Sequence, residues 1–444
     1  MPVEINNGNT AWILTAAALV MFMTPGLGFF YAGFTRSKNV LGTIMQSFIV
    51  VGLVGVQWVI IGYSLAFGPD QGGLIGNLDY LGLKNVGLVP GAWGSANGIP
   101  EESFMIFQAM FAIITPALIT GAFAERAKFS TFLVFMLAWS LLVYDPVAHW
   151  IFGTGWLGIA NPNGINALDF AGGAAIHVNA GAAALAAAFI YGQRKGFKTE
   201  PMEPHNVTYI LLGAAILWFG WFGFNAGSAG AANGQAANAF VVTNTAAAAA
   251  ALTWVGAQWF LTGKASTIGA AAGAVAGLVA ITPASGFVQP MEAIAIGGIA
   301  GVLCYGAVRL RSLTSVDDSL DVVGVHGVGG MWGALATGIF ASATVGGVDG
   351  LIHGHAGQVT DQLIAIGVVF VYSFVVTAVI LKVLDLTMGL RVNEDEEELG
   401  LDVTQHGERG YVFDDAVGVP VMTSEVQSAP MPAGRPAPEP AAGA

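Results

Sequence analysis

The chain has 444 residues, of which 55% are hydrophobic and only 10% are charged, and its mean hydropathy is +0.68. A soluble domain averages about 25% charged residues, so this composition excludes an ordinary soluble protein and indicates an all-α polytopic membrane protein. The formal net charge is −13, but much of the imbalance lies beyond residue 390, and without a basic patch we expect no nucleic-acid partner. A single cysteine, Cys304, excludes an intrachain disulfide.

Apolar stretches long enough to cross a bilayer recur along the chain, since a spanning helix needs about 20 residues. Fourteen of the 15 Lys and Arg residues follow odd-numbered stretches, and only Lys84 falls on the opposite side. The positive-inside rule therefore predicts an external N-terminus and a cytoplasmic C-terminus. We predict eleven spans, at residues 10–34, 39–67, 101–124, 129–152, 169–191, 206–228, 238–262, 267–285, 290–311, 321–341 and 360–388.

Two short patterns recur at the same displacement and predict an internal repeat. FYAG (30–33) in span one matches FNAG (224–227) in span six, and DFAGGAAIH (169–177) in span five matches DVVGVH (321–326) in span ten. Spans one to five therefore correspond to spans six to ten, and a displacement of five inverts the second half. Inverted repeats are typical of transporters, whose substrate path lies near the bilayer midplane.

The repeat places two histidines at similar depths in the bilayer. His177 lies eight residues inside its span and His326 about nine residues inside from the opposite face, which is about 12 Å and 13–14 Å of helix. Each histidine alone could be a hydrogen-bonded packing residue, but two at matched depth favour a pore-lining pair, because ionisable groups within spans usually mark a pathway. Asp169, with Asp321 as its repeat equivalent, suits a helix cap and is compatible with a functional role. Asp317, Asp318 and Asp321 likewise suit the start of span ten, where acids complement the helix dipole.

Aromatic residues concentrate in the outer half of the predicted bundle. Phe107 and Phe111 share a face of span three, and Trp221, Phe224 and Ser228 share a face of span six. The segment between spans four and five adds Trp150, Phe152 and Trp156. Such residues are common at membrane interfaces. They also suit an aromatic site for a small cation.

The motifs together resemble those of the ammonium transporter (Amt/Mep/Rh) family, on its bacterial and archaeal Amt side. The resemblance covers nearly the whole chain to about residue 413. It rests on these segments: PGLGFFYAGFTRSKNVL (25–41), FQAMFAIITPALITGAFAER (107–126), DFAGGAAIHVNAG (169–181), WFGFNAGSA (221–229), DVVGVHGVGG (321–330) and GLRVNEDEEELGLDVTQHGE (389–408).

The resemblance implies a homotrimer of eleven-helix protomers in the plasma membrane, the inner membrane of the cell, with one pore in each protomer. It implies a transmembrane domain over 1–388, an ordered cytoplasmic region over 389–413 that couples the protomers, and a PII-type signalling protein as a partner there. By composition, we expect 414–444 to be a disordered Pro/Ala-rich tail. From its acidic charge alone, we interpret NEDEEE (393–398) as a solvated charge run.

The family's functional residues carry over by motif. The resemblance implies an external recruitment site, a stacked phenyl gate formed by Phe111 and Phe224, the twin pore histidines His177 and His326, and Asp169 as the acid at the pore mouth. Phe152 stands where the family usually has Trp, and Phe is the weaker cation–π partner. Trp150 or Trp156 could take the role of that family Trp. The expected recruitment residues are Phe107, Phe111, Phe152, Trp150, Ser228 and Trp221.

The sequence thus predicts ammonium uptake through a pore that passes ammonia, with a proton moving separately. The alternatives are an ammonium sensor acting through its tail and a partner, a passive ammonia channel, and a membrane-embedded enzyme or redox subunit. The last is disfavoured because the chain lacks metal-ligand motifs, so we expect no enzyme activity, cofactor or metal. His353 and His355 form a weak metal-site candidate in an external loop, where a solvated loop is the simpler interpretation.

Overall fold

The computed structural model describes residues 3–412 and is almost entirely helical there. Ten helices in this range have the length and composition to cross a membrane, and an eleventh, Thr267–Ile281, is apolar but shorter. We number them α1 (Asn7–Phe34), α2 (Ser37–Phe67), α3 (Glu101–Ala122), α4 (Phe129–Ile151), α5 (Gly173–Tyr191), α6 (Val207–Gly227), α7 (Gly234–Thr262), α8 (Thr267–Ile281), α9 (Pro290–Leu313), α10 (Val323–Phe340) and α11 (Gly357–Met388).

Two helix boundaries differ from the predicted ones, each for a local reason. Helix α5 begins at Gly173 rather than 169, because residues 169–172 form a non-helical approach that ends in Gly172 with φ +118°. Helix α8 ends at Ile281 rather than 285, because Pro283 follows, and proline cannot continue the helical hydrogen-bond ladder. The other helix ends lie within about four residues of the predictions.

Helices α5 and α10 cross at glycines, which lets the two backbones approach closely. A Cβ built on Gly181 of α5 would stand only 2.3 Å from the Cα of Gly327 in α10. A Cβ on Gly330 would stand 2.8 Å from the Cβ of His177. Each helix opens with a π-helical turn that contains its histidine, at Gly173–Val178 and Val323–Gly327. Such turns are rare and frequent at functional sites.

Basic and acidic side chains join the loops at the end of the bundle where the C-terminal segment lies. Arg194 holds Asp317 through Nε and Nη2 contacts of 2.9 and 2.8 Å, with both side chains almost fully buried. Arg36 binds Glu125 at 2.7 Å. Burial would raise the pKa of Asp317, but the hydrogen bonds and charge of Arg194 outweigh it and lower that pKa below its ordinary value.

The segment after α11 folds back onto this end of the bundle. It contains two short helices, α12 (Glu394–Leu399) and α13 (Leu401–His406). Glu397, almost fully buried, accepts from Arg391 at 2.6 Å and from the backbone of Lys195 at 2.7 Å. Asp402 accepts from the Gly42 N–H at the start of α2. The predicted tail over 414–444 lies outside the described residues.

The opposite end of the bundle carries a short antiparallel hairpin, Asp70–Gln71 with Ile75–Gly76. Two consecutive side chains of α4 hold it. His149 contacts Asp70 Oδ1 through Nε2 at 2.9 Å, and the Trp150 indole N–H donates to the Leu74 carbonyl at 2.7 Å.

Candidate functional site

The two predicted pore histidines contact each other inside the bundle. Their Nδ1 atoms lie 3.2 Å apart, and the ring centroids lie 5.3 Å apart with a 24° angle between planes. Both side chains are at most 3% exposed. A hydrogen bond between two Nδ1 atoms requires one N–H donor and one bare acceptor, so this geometry excludes two imidazolium rings at once. The buried His177 Nε2 has no hydrogen-bond partner among the described residues.

A continuous column of aromatic rings leads to this pair. The Phe107 and Phe111 centroids lie 4.8 Å apart, and those of Phe111 and Phe224 lie 4.5 Å apart. The Phe224 ring then lies 6.1 Å from the His177 ring, nearly parallel to it. Phe111 and Phe224 meet at 46°, so the expected stacked arrangement is wrong in detail. A tilted pair fits because helices α3 and α6 present the two rings from different directions.

Trp221 lies deeper than the recruitment site to which the sequence assigned it. Its ring stacks on His177 at a centroid distance of 5.5 Å, and its indole N–H donates to Thr282 Oγ1 at 2.8 Å. One helical turn separates it from Phe224, which is enough to move it from the outer rings to the histidine level. Trp221 therefore forms a wall of the histidine chamber, and the sequence contained no signal for its partner Thr282.

The outer end of the column is formed by Phe107, Phe111 and Ser228. A Cβ on Gly227 would stand 2.8 Å from the Phe107 ring, so this ring lies against the backbone just before Ser228. The Ser228 hydroxyl is half-buried and donates to the Phe224 carbonyl at 2.8 Å. The hydroxyl oxygen keeps its acceptor capacity, because a hydroxyl accepts as well as donates.

The aromatic residues at and beyond the end of α4 make ring contacts of their own. Trp150 packs against Tyr372 at 4.6 Å and Trp156 at 6.1 Å, beside the hairpin. Among the described residues, no ring contact joins Trp150 or Phe152 to Phe107 or Phe111. Phe152 caps the end of α4 and is only partly buried. The Trp150 indole N–H is used by the hairpin.

Both carboxylate oxygens of Asp169 cap the start of α5. Its two carboxylate oxygens accept four backbone N–H groups, from Gly172, Gly173, Ala174 and Ala175, at 2.6–3.0 Å. Four charge-assisted bonds to a helix start stabilise the carboxylate and fix the approach of the chain to His177. The geometry favours the capping interpretation over an acid that binds a passing ion directly.

The corresponding cap of α10 is Asp318, one of the three acids predicted at the start of span ten, rather than Asp321, the predicted repeat equivalent of Asp169. Asp318 Oδ2 accepts from the Val323 N–H at 2.8 Å, and Asp318 precedes His326 by eight residues, as Asp169 precedes His177. Asp321 instead has φ +58° and pairs with Arg311 at 2.7 Å. Burial and then the neighbouring Asp321 charge raise the pKa of Asp318 to about 7. The equal eight-residue spacing was a signal in the sequence, hidden by the closer match of the shorter DVVGVH motif.

Two cavities meet at His326. A narrow one of about 10 Å³ lies beside Phe224 and the histidines, with walls that include Leu27, Ile114 and Val275. A wider one of about 280 Å³ extends toward the end of the bundle that holds the C-terminal segment. His326 and Phe30 line both cavities. Phe30 was not singled out from the sequence, where it is one aromatic residue among many in α1.

Comparisons with known proteins match this arrangement. A model of the Ammonium Transporter Family matches residues 11–411. The chain belongs to the ammonium transporter family. It is 48% identical to the ammonium transporter of Bacillus subtilis, over 91% of this chain and 98% of that protein. It is 47% identical to the ammonium transporter Amt1 of Archaeoglobus fulgidus, over 92% of this chain and 100% of that protein.

Solved structures of this family have the same fold. Mep2 of Candida albicans superposes with a TM-score of 0.81 at 37% identity, over 91% of this chain and 90% of that one. A sensor Amt protein superposes with a TM-score of 0.81 at 29% identity, over 90% of this chain and 98% of that one. The predicted resemblance is confirmed, and the chain is a multi-pass protein of the plasma membrane.

Proposed function

We propose that this chain takes up ammonium by binding the cation outside, removing its proton and conducting ammonia past His177 and His326. Ammonium transport itself follows from family membership. One observation carries the mechanism: the histidine contact of 3.2 Å lies directly behind a pair of phenyl rings with centroids 4.5 Å apart.

Recruitment takes place at the outer end of the ring column. The faces of Phe107 and Phe111 attract a small cation, and Ser228 supplies a hydroxyl acceptor. Among the described residues, no carboxylate contacts Phe107, Phe111 or Ser228, so the cation is held weakly enough to move on. Phe152 is assigned to the rim of this site, where its ring is a weaker partner than Trp.

The ring pair then favours the neutral molecule. Phe111 and Phe224 are almost fully buried and meet without a polar side chain between them. A hydrated cation would have to shed its water there without replacement, which is costly for a charge. Ammonium avoids that cost by losing a proton, whereas potassium cannot. Selectivity against potassium therefore follows from chemistry rather than from diameter.

The histidine pair provides a separate route for the proton. A proton taken up at one outer Nε2 allows the shared Nδ1 proton to shift and another proton to leave at the second Nε2. Each imidazole accepts at one nitrogen and donates at the other, so no charge needs to be stored on both rings. Transport is then electrogenic although ammonia passes as a neutral molecule.

The proposal includes the finer architecture implied by the family. We place all eleven helices across the membrane as an inverted repeat, with the N-terminus outside, because Arg36, Arg126 and Arg194 meet at one end of the bundle. The protomers form a homotrimer. Residues 389–413 couple them, and a PII-type signalling protein binds at this cytoplasmic face.

The test is ammonium-induced current from purified protein in liposomes on a solid-supported membrane. Wild type should give a saturating current with ammonium and none with potassium, and His177→Ala should abolish it. His353→Ala is the matched control, since His353 is exposed in a loop remote from the pore, and it should behave as wild type. Luminal alkalinisation without current would replace this mechanism with a passive ammonia channel.

A second candidate function is sensing, favoured by the likeness to a sensor Amt protein at 29% identity. In that case the C-terminal segment would report ammonium occupancy to a partner. A deletion strain with normal ammonium uptake but no nitrogen response would favour sensing. Loss of uptake in the same strain would favour transport.

A further inference from the structure

The wider cavity, which we call the inner vestibule, is far larger than the transported molecule requires. Its volume is about 280 Å³, whereas a cavity that holds one molecule of the size of water needs only about 10–15 Å³ by the same measure. Its residues come from α1, α7, α8, α9 and the start of α10, and it narrows at Phe30 and His326 into the smaller cavity of about 10 Å³. A molecule too large for the narrow part can therefore enter the vestibule and stop there.

The walls of the inner vestibule are rich in aromatic rings from three helices. Phe30 and Phe34 of α1 contact edge to face at 5.2 Å, and Trp254 of α7 contacts Tyr305 of α9 at 5.6 Å. Tyr31 completes the set. Arg309 lies 6.0 Å from the Tyr305 ring, so a cation already occupies part of that surface. Ring faces of this kind bind both apolar groups and cations.

Two acceptor oxygens in the inner vestibule lack partners. Both guanidinium contacts from Arg311, at 2.8 and 2.7 Å, reach Asp321 Oδ1, and no hydrogen bond among the described residues reaches Oδ2. Gln258 Oε1 is buried and also has no partner there. Asp321 adopts φ +58°, a conformation uncommon outside glycine, so the surrounding fold holds its carboxylate at the vestibule wall. The Asp321 side chain is 26% exposed, so Oδ2 is open to the vestibule, and both oxygens can accept from a ligand that donates hydrogen bonds.

We propose that the inner vestibule binds a primary aralkylammonium ion, meaning a protonated amine joined by a short chain to an aromatic ring. The ammonium group donates to Asp321 Oδ2 and Gln258 Oε1, and its ring packs among Phe34, Trp254 and Tyr305. Arg311 offsets part of the Asp321 charge, so recognition depends on the rings and acceptors together. The bound ion also closes the pore exit, and this part of the proposal rests on the proposed transport function. The binding itself does not depend on that function.

The binding experiment uses the purified full chain in detergent, titrated calorimetrically with phenethylammonium and with the neutral analogue 2-phenylethanol. We expect the ammonium ion to bind roughly tenfold more tightly than the alcohol, because only the ion has the charge and three donors. Asp321→Asn should weaken phenethylammonium by a similar factor. Asp385→Asn removes an exposed acid from the same end of the bundle and should change nothing.

Equal binding of the two ligands, or unchanged binding to Asp321→Asn, would overturn the proposal. If Asp321→Asn does not fold, Phe34→Leu serves instead, since Phe34 is only partly buried, and it should weaken the ion at least severalfold. In liposomes, phenethylammonium on the vestibule side should block ammonium current. A wild type without ammonium current but with binding refutes the proposed electrogenic mechanism alone, and current without binding refutes this inference alone.

Discussion

Substituting Gly181 by alanine tests whether the contact between the histidines depends on how closely α5 and α10 cross. A Cβ at Gly181 would stand 2.3 Å from the Gly327 Cα, whereas ordinary contact begins at 3.4 Å. The two backbones must therefore separate locally by about 1.1 Å. The His177–His326 distance is 3.2 Å, so even a third of that displacement moves it beyond hydrogen-bond range.

The stability change from Gly181→Ala should be small. Overpacking a close contact costs about 1–3 kcal/mol, and replacing glycine by alanine inside a helix recovers about 0.5–1 kcal/mol. The protein should therefore fold, and its defect should be functional. If the histidines relay the proton, ammonium-induced current should fall roughly tenfold or more.

The assay compares current and thermal unfolding of Gly181→Ala with those of Gly367→Ala. Gly367 also lies inside a helix, but a Cβ there meets nothing within 4 Å, so this control should retain full current. A cryo-electron microscopy structure of Gly181→Ala should show the histidines apart. Wild-type current from a variant whose histidines are separated would refute the relay, and an unchanged 3.2 Å contact would refute the packing argument.

Three further changes test other parts of the molecule. Phe152→Trp should lower the external ammonium concentration that gives half-maximal current roughly two- to fivefold, since Trp is the better cation–π partner. Phe219 is exposed on α6, so the control Phe219→Trp should leave that concentration unchanged. Equal values for the two variants would remove Phe152 from the recruitment site. Asp317→Asn should lower the free energy of unfolding at pH 7 by about 3 kcal/mol, because buried Arg194 keeps only its longer 3.5 Å contact with Glu125. Because the Asp317 pKa is lowered in the folded protein, its stabilisation is present above the ordinary carboxyl pKa and is lost as pH falls below about 4; thermal unfolding of wild type that is flat down to pH 2 would contradict this. Glu397→Gln should increase amide hydrogen exchange over residues 394–406, because it weakens the contact with Arg391. Glu394 is exposed, so the control Glu394→Gln should not increase this exchange. Equal exchange in the two variants would exclude Glu397 as the residue that anchors the C-terminal segment.

The sequence by itself predicted the long apolar helices and the meeting of the two histidines. Long apolar segments can satisfy their backbone in lipid only as helices, so these helices follow from composition and length. The meeting of His177 and His326 was predicted from the helical rise per residue, although their helices begin only at Gly173 and Val323. Both inferences use only local geometry, which does not depend on how the helices are arranged around each other.

Only the tertiary structure decided which neighbours each side chain has. Asp318 rather than Asp321 caps α10, because the chain turns at Asp321 to reach Arg311. Trp221 lies on His177 and Trp150 on the hairpin, although both looked like members of one outer cluster. Helical spacing specifies the face on which a residue lies, but the partner across that face depends on helix rotation and crossing. Those are set by close contacts such as Gly181 against Gly327, which join residues 146 positions apart.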